Sequence, residues 1–295
     1  MVSVLIPTYH YSAFPLIKEI HKQLLKINTP FEIICIDDAS KNSANSSNDL
    51  INSLEYCDYI KLETNIGRSK IRNLLASKAK YDWLLFLDAD VFPKDPHFIN
   101  SYLKSISEQK SVVCGGIRYH KEKPSNERLL RWVYGKKHEE ASMANRKSRP
   151  YHHFFSANFF IHKQIFNKIK FNEEIRNYGH EDTLFSFGLR TENIELYHID
   201  NPVYHLGIET NQVFLTKTKA SVLNAYYLYQ NKLIKKNDIK LVSAFLKLKS
   251  LYLSNIFGYI FNKTHKMLES NLKSKSPSIW VFQSYKLGYL CANAR

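Results

Sequence analysis

The tightest constraint on how this chain folds is a rhythm in its first ninety residues: four short apolar runs, each too brief for a buried helix, separated by amphipathic segments. Residues 2–6 read Val-Ser-Val-Leu-Ile and stop at Pro7. Residues 31–36 run straight into Asp37 and Asp38, 59–62 make a third run, and 83–87 read Trp-Leu-Leu-Phe-Leu before Asp88-Ala89-Asp90. Between the first two, Leu16, Ile20, Leu24 and Ile27 recur at helical spacing and give a helix ending near Thr29 and Pro30. A Ser/Asn-rich loop over 40–48 precedes a short helix near 50–54, and residues 67–78 carry a third helical pattern. Strand–helix alternation with uniformly apolar strands predicts a parallel sheet covered by helices on both faces. Ligands of such sheets gather beyond the carboxyl ends of the strands, and two of those ends carry paired acids.

Beyond residue 90 the pattern loosens. Residues 95–107 read as a helix and 112–117 as a strand with a bend at Gly115 and Gly116. The polar, basic stretch 120–152 predicts a long mobile loop or short helices. Strand character returns over 154–161, a helix follows over 181–190, and 195–198 and 202–205 are short strands. From residue 211 the apolar positions (Leu223, Tyr227 and Ile234, then Val242, Phe245, Tyr252 and Ile256) predict three or four helices. The expected organisation is therefore a sheet-based domain over 1–210 and a helical extension over 211–295.

Charge separates the same two regions. Of the net +15, residues 211–295 carry +12, with 14 Lys and Arg against Asp238 and Glu269, and residues 1–210 carry +3. A basic, aromatic-rich extension attracts polyanions such as acidic lipid head groups or nucleic acid. The plainer reading is a solvated helical face that keeps the chain dissolved. With 44% hydrophobic residues the chain can bury a core, which excludes wholesale disorder. Four scattered cysteines (Cys35, Cys57, Cys114, Cys291) without a C-x-x-C pair exclude a disulfide scaffold and a Cys-based zinc site; buried, reduced thiols are expected. No apolar run approaches the roughly 18–20 residues of a membrane span, and residues 2–6 read as a strand rather than a signal peptide. A cytoplasmic protein is expected, with peripheral attachment at the inner face of the cell membrane as one option.

Three constellations carry chemistry. Asp88-x-Asp90 after an apolar strand can share a hard divalent cation with a phosphate-bearing ligand. Glu181-Asp182 opens a helical stretch, where the pair either stabilises the helix dipole or, in a closed pocket, supplies a general base of raised proton affinity. His205 ends a short strand and is either a packed residue or a partner for a manganese-like ion.

The order of motifs is specific. Val4-Leu-Ile-Pro-Thr-Tyr9, Ile36-Asp-Asp-Ala-Ser40, Asn65-Ile-Gly-Arg68 with Arg72-Asn73, Leu87-Asp-Ala-Asp90 and Gly179-His-Glu-Asp182 together resemble the family-2 glycosyltransferases, over residues 1 to about 208. The resemblance implies a GT-A fold, a Rossmann-like mixed sheet with helices on both faces, here with a C-terminal helical extension. It implies that Pro7, Thr8 and Tyr9 contact the nucleotide and that Asp38 reads the uracil of a UDP-sugar. Arg68 would lie near base and phosphate, with Asp88 near the ribose and Ala89 beside it. Asp90 would bind a divalent metal (Mn2+ or Mg2+), with His205 as its second ligand. Asp182 would be the catalytic base, and Glu181 would help hold the acceptor.

Three departures leave the sugar open: His10 where Asn is usual, Ile71 where Ala usually precedes Arg-Asn, and Tyr178-Gly-His before the base. The implied reaction is an inverting transfer from a nucleotide sugar to a glycan or lipid-linked acceptor. A nucleotidyltransferase would show a Gly-rich, basic loop after the first strand, where this chain has Pro7-Thr-Tyr-His-Tyr-Ser12. A nucleic-acid-binding protein fits the charge but lacks a reading motif, so no nucleic-acid partner is expected.

Overall fold

The structure, a computed structural model, describes residues 1–41, 44–106, 111–175 and 178–294. In chain order its elements are β1 (Val2–Thr8), α1 (Phe14–Leu25), β2 (Phe31–Asp37), α2 (Ala44–Asn48), β3 (Cys57–Lys61), α3 (Arg68–Lys78), β4 (Trp83–Leu87), β5 (Val91–Pro93) and α4 (Phe98–Leu103). There follow β6 (Val112–Cys114), β7 (Ile117–Arg118), α5 (Leu129–His138), α6 (Met143–Ser148), β8 (Asn158–His162), α7 (Lys163–Ile169), α8 (Glu181–Thr191), β9 (Tyr197–His198) and β10 (Val203–His205). Four helices complete the chain: α9 (Asn211–Gln230), α10 (Lys240–Ser250), α11 (Ser254–Leu272) and α12 (Ile279–Asn293). The chain divides into two compact units. The second gathers residues 121–138, the segment ending at His180, and everything from Ile208 onward.

The first unit is built on a seven-stranded sheet of order β3-β2-β1-β4-β8-β6-β9. β3, β2, β1 and β4 run parallel, as their apolar runs predict; β1, β2 and β4 are almost wholly buried, while β3 at the sheet edge exposes Asp58 and Lys61. The sheet is mixed rather than parallel throughout, because β8 inserts antiparallel between β4 and β6. Its register sets Phe86 opposite Phe159, and their rings stack at 4.7 Å. Phe154, Phe166, Phe171 and Phe185 close round this pair to form the core under the sheet.

The glycine bend proves to be a change of sheet. β6 belongs to the large sheet and β7 to a three-stranded one, β5-β10-β7. Between them Gly116 takes a φ of 92°, and a Cβ there would lie 2.7 Å from the Arg146 guanidinium. Four boundaries contract relative to expectation. The helix over 95–107 shortens to α4, with Ser107 outside the described residues; the strand over 154–161 becomes β8, and those over 195–198 and 202–205 become β9 and β10. Part of the loop expected over 40–48 is the short helix α2, and residues 42–43 lie outside the described residues. The stretch 120–152 resolves into short helices. All four cysteines are buried and unpaired.

The second unit is helical. α11 and α12 pack closely enough that a Cβ on Gly288 would lie 2.7 Å from Phe261 and one on Gly258 2.9 Å from the Cys291 carbonyl oxygen. Its apolar clusters centre on Leu130, Leu215, Phe261, Phe282 and Tyr285, and on Val222, Tyr226, Phe245 and Leu290. Glu269 is held inside by the Tyr285 hydroxyl at 2.6 Å and Lys219 at 3.2 Å. Burial alone would raise its carboxyl, but these partners hold it below the ordinary range. α10 ends in a Schellman turn, with Leu253 N–H donating to Leu248 O at 2.9 Å and Tyr252 N–H to Lys249 O at 3.1 Å. Tyr252 occupies its left-handed position with φ 58°, where a side-chain-bearing residue costs roughly 1–2 kcal/mol and glycine is the default. No helix among the described residues is long and apolar enough to cross a membrane.

Phe159 is fully buried amid the aromatic core, so Phe159→Ala removes packing that the surrounding rings cannot refill. It is expected to destabilise the sheet unit by about 3–5 kcal/mol, read as a lowered urea midpoint.

Candidate active site

The strand order places the switch point between β1 and β4, where chain connections diverge to the two sides of the sheet, and the carboxyl edge at such a point is where sheets of this kind bind ligands. Thr8 ends β1 and its carbonyl accepts the Asp38 N–H at 2.9 Å, joining the first loop to the acid pair. Thr8 is buried with its hydroxyl donating to Tyr11 O, whereas Tyr9 is half exposed. The Tyr11 hydroxyl is raised by burial and by the negative charge of Asp90, which places the first loop within electrostatic reach of that carboxylate. Asp38 is buried and accepts backbone N–H groups from Ile66 at 2.7 Å and Gly67 at 3.0 Å, so it anchors the entrance to α3. Its neighbour Asp37 accepts from the Tyr59 hydroxyl and the Ser40 N–H and faces the fold.

Asp88 and Asp90 follow β4 but meet different partners. Asp88 accepts from the buried Arg72 guanidinium at 2.6 Å. Asp90 faces His205, whose Nε2 lies 3.7 Å from Asp90 Oδ2. Register explains the meeting: β10 pairs antiparallel with β5 so that His205 stands opposite Val91, and Leu206 N–H donates to Asp90 O at 2.8 Å. Gly207 completes the cradle, since a Cβ there would collide with the Asp90 carboxylate, 2.8 Å from Cγ. The Tyr119 ring stacks on His205 at 5.6 Å. His205 Nδ1 is buried and has no hydrogen-bond partner among the described residues.

Glu181 and Asp182 open α8. Arg68 Nη1 lies 3.2 Å from Glu181 Oε1. Burial would raise the Glu181 carboxyl, but Arg68 and then Arg72 outweigh it and hold it below the ordinary range. Asp182 behaves oppositely: burial first, and the Glu181 charge second, push it up to about 6 against the opposing pull of Arg72 and of the Ser156 N–H. Its Oδ2 accepts from Ser156 N–H at 3.1 Å, while Oδ1 is buried with no partner among the described residues. A carboxylate with one anchored and one unengaged oxygen, titrating near neutrality, has the makings of a proton acceptor.

The structure thus gathers Arg68, Asp88, Glu181 and Asp182 through Arg72, and sets Asp90 beside His205. Ala89 is buried between the two acids, and Pro7 is half-buried at the end of β1. Sequence reasoning gave no role to Arg72, Ser156, Tyr11 or Gly207. Only Arg72 carried a signal, as part of the Arg72-Asn73 pair; the others act through a backbone N–H, a hydroxyl and a missing Cβ.

The residues present suit a divalent ion. An aspartate oxygen and an imidazole nitrogen face each other in a cradle that only glycine leaves open, and the imidazole's Nδ1 is buried. Among the described residues no group of three or more His, Cys, Asp or Glu is placed to hold a metal ion.

The sequence profile of glycosyl transferase family 2 matches residues 3–170, more than half of the chain. The chain belongs to that family. It is 25% identical over 246 residues to the chondroitin synthase of Pasteurella multocida, covering 69% of this chain and 24% of that protein. It is 36% identical over 94 residues to an uncharacterized glycosyltransferase of Haemophilus influenzae, covering 30% of this chain and 29% of that one. The chain therefore spans less than a third of the length of these curated relatives. A mannosyltransferase from Pyrobaculum calidifontis, solved with GDP-Man and Mn2+, matches at a TM-score of 0.56 with 13% identity, over 99% of this chain and 85% of that one. Mannosyl-3-phosphoglycerate synthase from Rubrobacter xylanophilus matches at 0.52 with 14% identity, over 80% and 76%. The fold is GT-A, with C-terminal helices added to it.

Gly207→Ala drives a methyl group into the Asp90 carboxylate. It is expected to weaken Mn2+-supported binding of a nucleoside diphosphate about 10- to 100-fold, measured by calorimetry, with the circular dichroism unchanged.

Proposed function

We propose that the protein transfers a sugar from a nucleoside-diphosphate sugar, UDP-linked, to a hydroxyl of a glycan or lipid-linked acceptor in surface-polysaccharide assembly, inverting the anomeric configuration. The observation that carries this reading is the split carboxylate pair: Glu181 kept ionised by two guanidiniums, Asp182 poised near pH 6 with one buried oxygen unengaged. The chondroitin synthase relative supports a polysaccharide product, and the mannosyltransferase bound to GDP-Man and Mn2+ supports a nucleotide-sugar donor with a divalent ion.

Pro7, Thr8, Tyr9 and Asp38 take the nucleoside, Arg68, Asp88 and Ala89 line the donor, and Glu181 holds the acceptor. The Asp38 oxygens already accept one N–H each, and a carboxylate oxygen has a second lone pair for a base N–H. Asp90 and His205 would hold Mn2+ or Mg2+, which when bound neutralises the charge growing on the diphosphate. Asp182 Oδ1 accepts the acceptor hydroxyl's proton as that oxygen attacks the anomeric carbon. The bond from that carbon to the diphosphate oxygen breaks, its electron pair leaves with the diphosphate, and one displacement inverts the centre. Residues 211–295 would hold the protein on an anionic membrane, the surface on which a lipid-linked acceptor resides.

Protonated Asp182 cannot accept a proton, so kcat/KM is expected to fall as pH drops through about 6 and to be flat above it. Asp182→Asn should lower turnover at least ~100-fold and abolish that acid limb, with donor binding and thermal midpoint maintained. Normal turnover in this variant would make Asp182 structural.

Asp90→Ala deletes a charged ligand from a site with few others. It is expected to abolish the Mn2+ dependence of nucleoside-diphosphate binding in a calorimetric titration; unchanged affinity would remove the metal assignment.

A further inference from the structure

We propose that the turn between α10 and α11, with the outward stripe of α11, is the surface that docks on an anionic lipid bilayer. The proposal rests on the membrane reading above and names the residues that make the contact. On α11 the packed face carries Gly258, Phe261 and Leu272. On the opposite face Ile256, Ile260, Lys263 and Met267 recur at spacings of four, three and four, a single stripe on a helix, with Tyr259 beside it. These apolar residues are far from satisfied: Ile256 is 53%, Tyr259 65%, Ile260 50% and Met267 67% exposed. The stripe begins at the Schellman turn, where Tyr252 is 89% exposed and held in a backbone region that glycine would occupy freely. Packing gives no reason for a bulky aromatic there. Insertion of its ring at a membrane interface gives one.

Charge selects the occupant. Lys247 and Lys249 on α10 and Lys263 and Lys266 on α11 are exposed, and no acidic residue lies between Asp238 and Glu269. Those two acids are engaged, Glu269 inside the helical unit and Asp238 with the Lys235 N–H at 2.7 Å. An apolar and aromatic stripe ringed by uncompensated lysines matches a layer that is hydrocarbon below and anionic above. A second copy of the chain would bring like charges together on this face. The sequence pattern groups Val242 and Phe245 with Tyr252 and Ile256, but the structure separates them: the first two are buried against the other helices and the last two are exposed.

The test is co-sedimentation of the full chain with phosphatidylcholine vesicles, with and without phosphatidylserine. The wild type is expected to bind the anionic vesicles and to be released near ~0.5 M salt. A triple polar variant, Ile256→Ser, Ile260→Ser and Met267→Ser, should lose binding at least ~10-fold. So should Lys247→Gln, Lys249→Gln and Lys263→Gln, through the charge alone, at about 1 kcal/mol per Lys, roughly tenfold for each 1.4 kcal/mol. Both variants should keep transfer activity on a soluble acceptor. If the wild type binds anionic vesicles and both variants bind equally well, this surface is wrong and the membrane reading stands. If the wild type binds neither lipid, both fall. A wild-type dimer in light scattering that the Ser variant dissociates would make this face an interface between copies and overturn the proposal.

Discussion

A buried guanidinium organises this molecule's chemistry. Arg72 lies on α3, is nearly inaccessible, and donates to Asp88 at 2.6 Å while its charge reaches Glu181 and Asp182. Without a fixed cation, carboxylates crowded at the end of a sheet repel one another and would take up protons or swing apart. Arg72 removes that conflict for Asp88, and Arg68 joins it in doing so for Glu181. Asp182 receives too little of this compensation to offset burial and the neighbouring Glu181 charge. Two adjacent carboxylates are thereby pushed in opposite directions, which is how one fold separates a charged holding group from a proton acceptor.

Much of this fold was legible in the sequence because its strands are buried on both faces. Residues 2–6, 31–36 and 83–87 lie inside β1, β2 and β4, since an apolar run too short for a helix has few other solutions. Antiparallel β8 was not legible as such, because direction is set by the path of the chain through α6 and the loop before β8, not by composition. The change of sheet at Gly115 and Gly116 read as a bend, since local sequence shows the glycines but not the Asn158 and Arg146 side chains that require them.

The site divides in the same way. Acids at strand ends are visible because strand ends are visible. Asp90 and His205 are 115 positions apart, and only the β5–β10 register brings them together. The Ser156 N–H and the space above Gly207 belong to no motif, because one is a backbone group and the other is an absence. Arg72 was visible as part of a dipeptide, but its burial, the property that matters, depends on packing against Phe171 and on the Asp88 ion pair.

The helical unit follows another rule. Its packed face is specified by small residues as much as by large ones, Gly258 against Cys291 and Gly288 against Phe261. Those close approaches leave little room for polar side chains between α11 and α12, and Glu269 enters only with Lys219 and Tyr285 to neutralise and bond it. One of the two acids in this third of the chain is therefore spent on internal structure. Its charge is cancelled locally by a lysine that would otherwise face water, and the remaining lysines dominate the field outside. An arrangement made for internal packing thus leaves the exterior cationic, and the exposed α11 stripe sits within that cationic exterior.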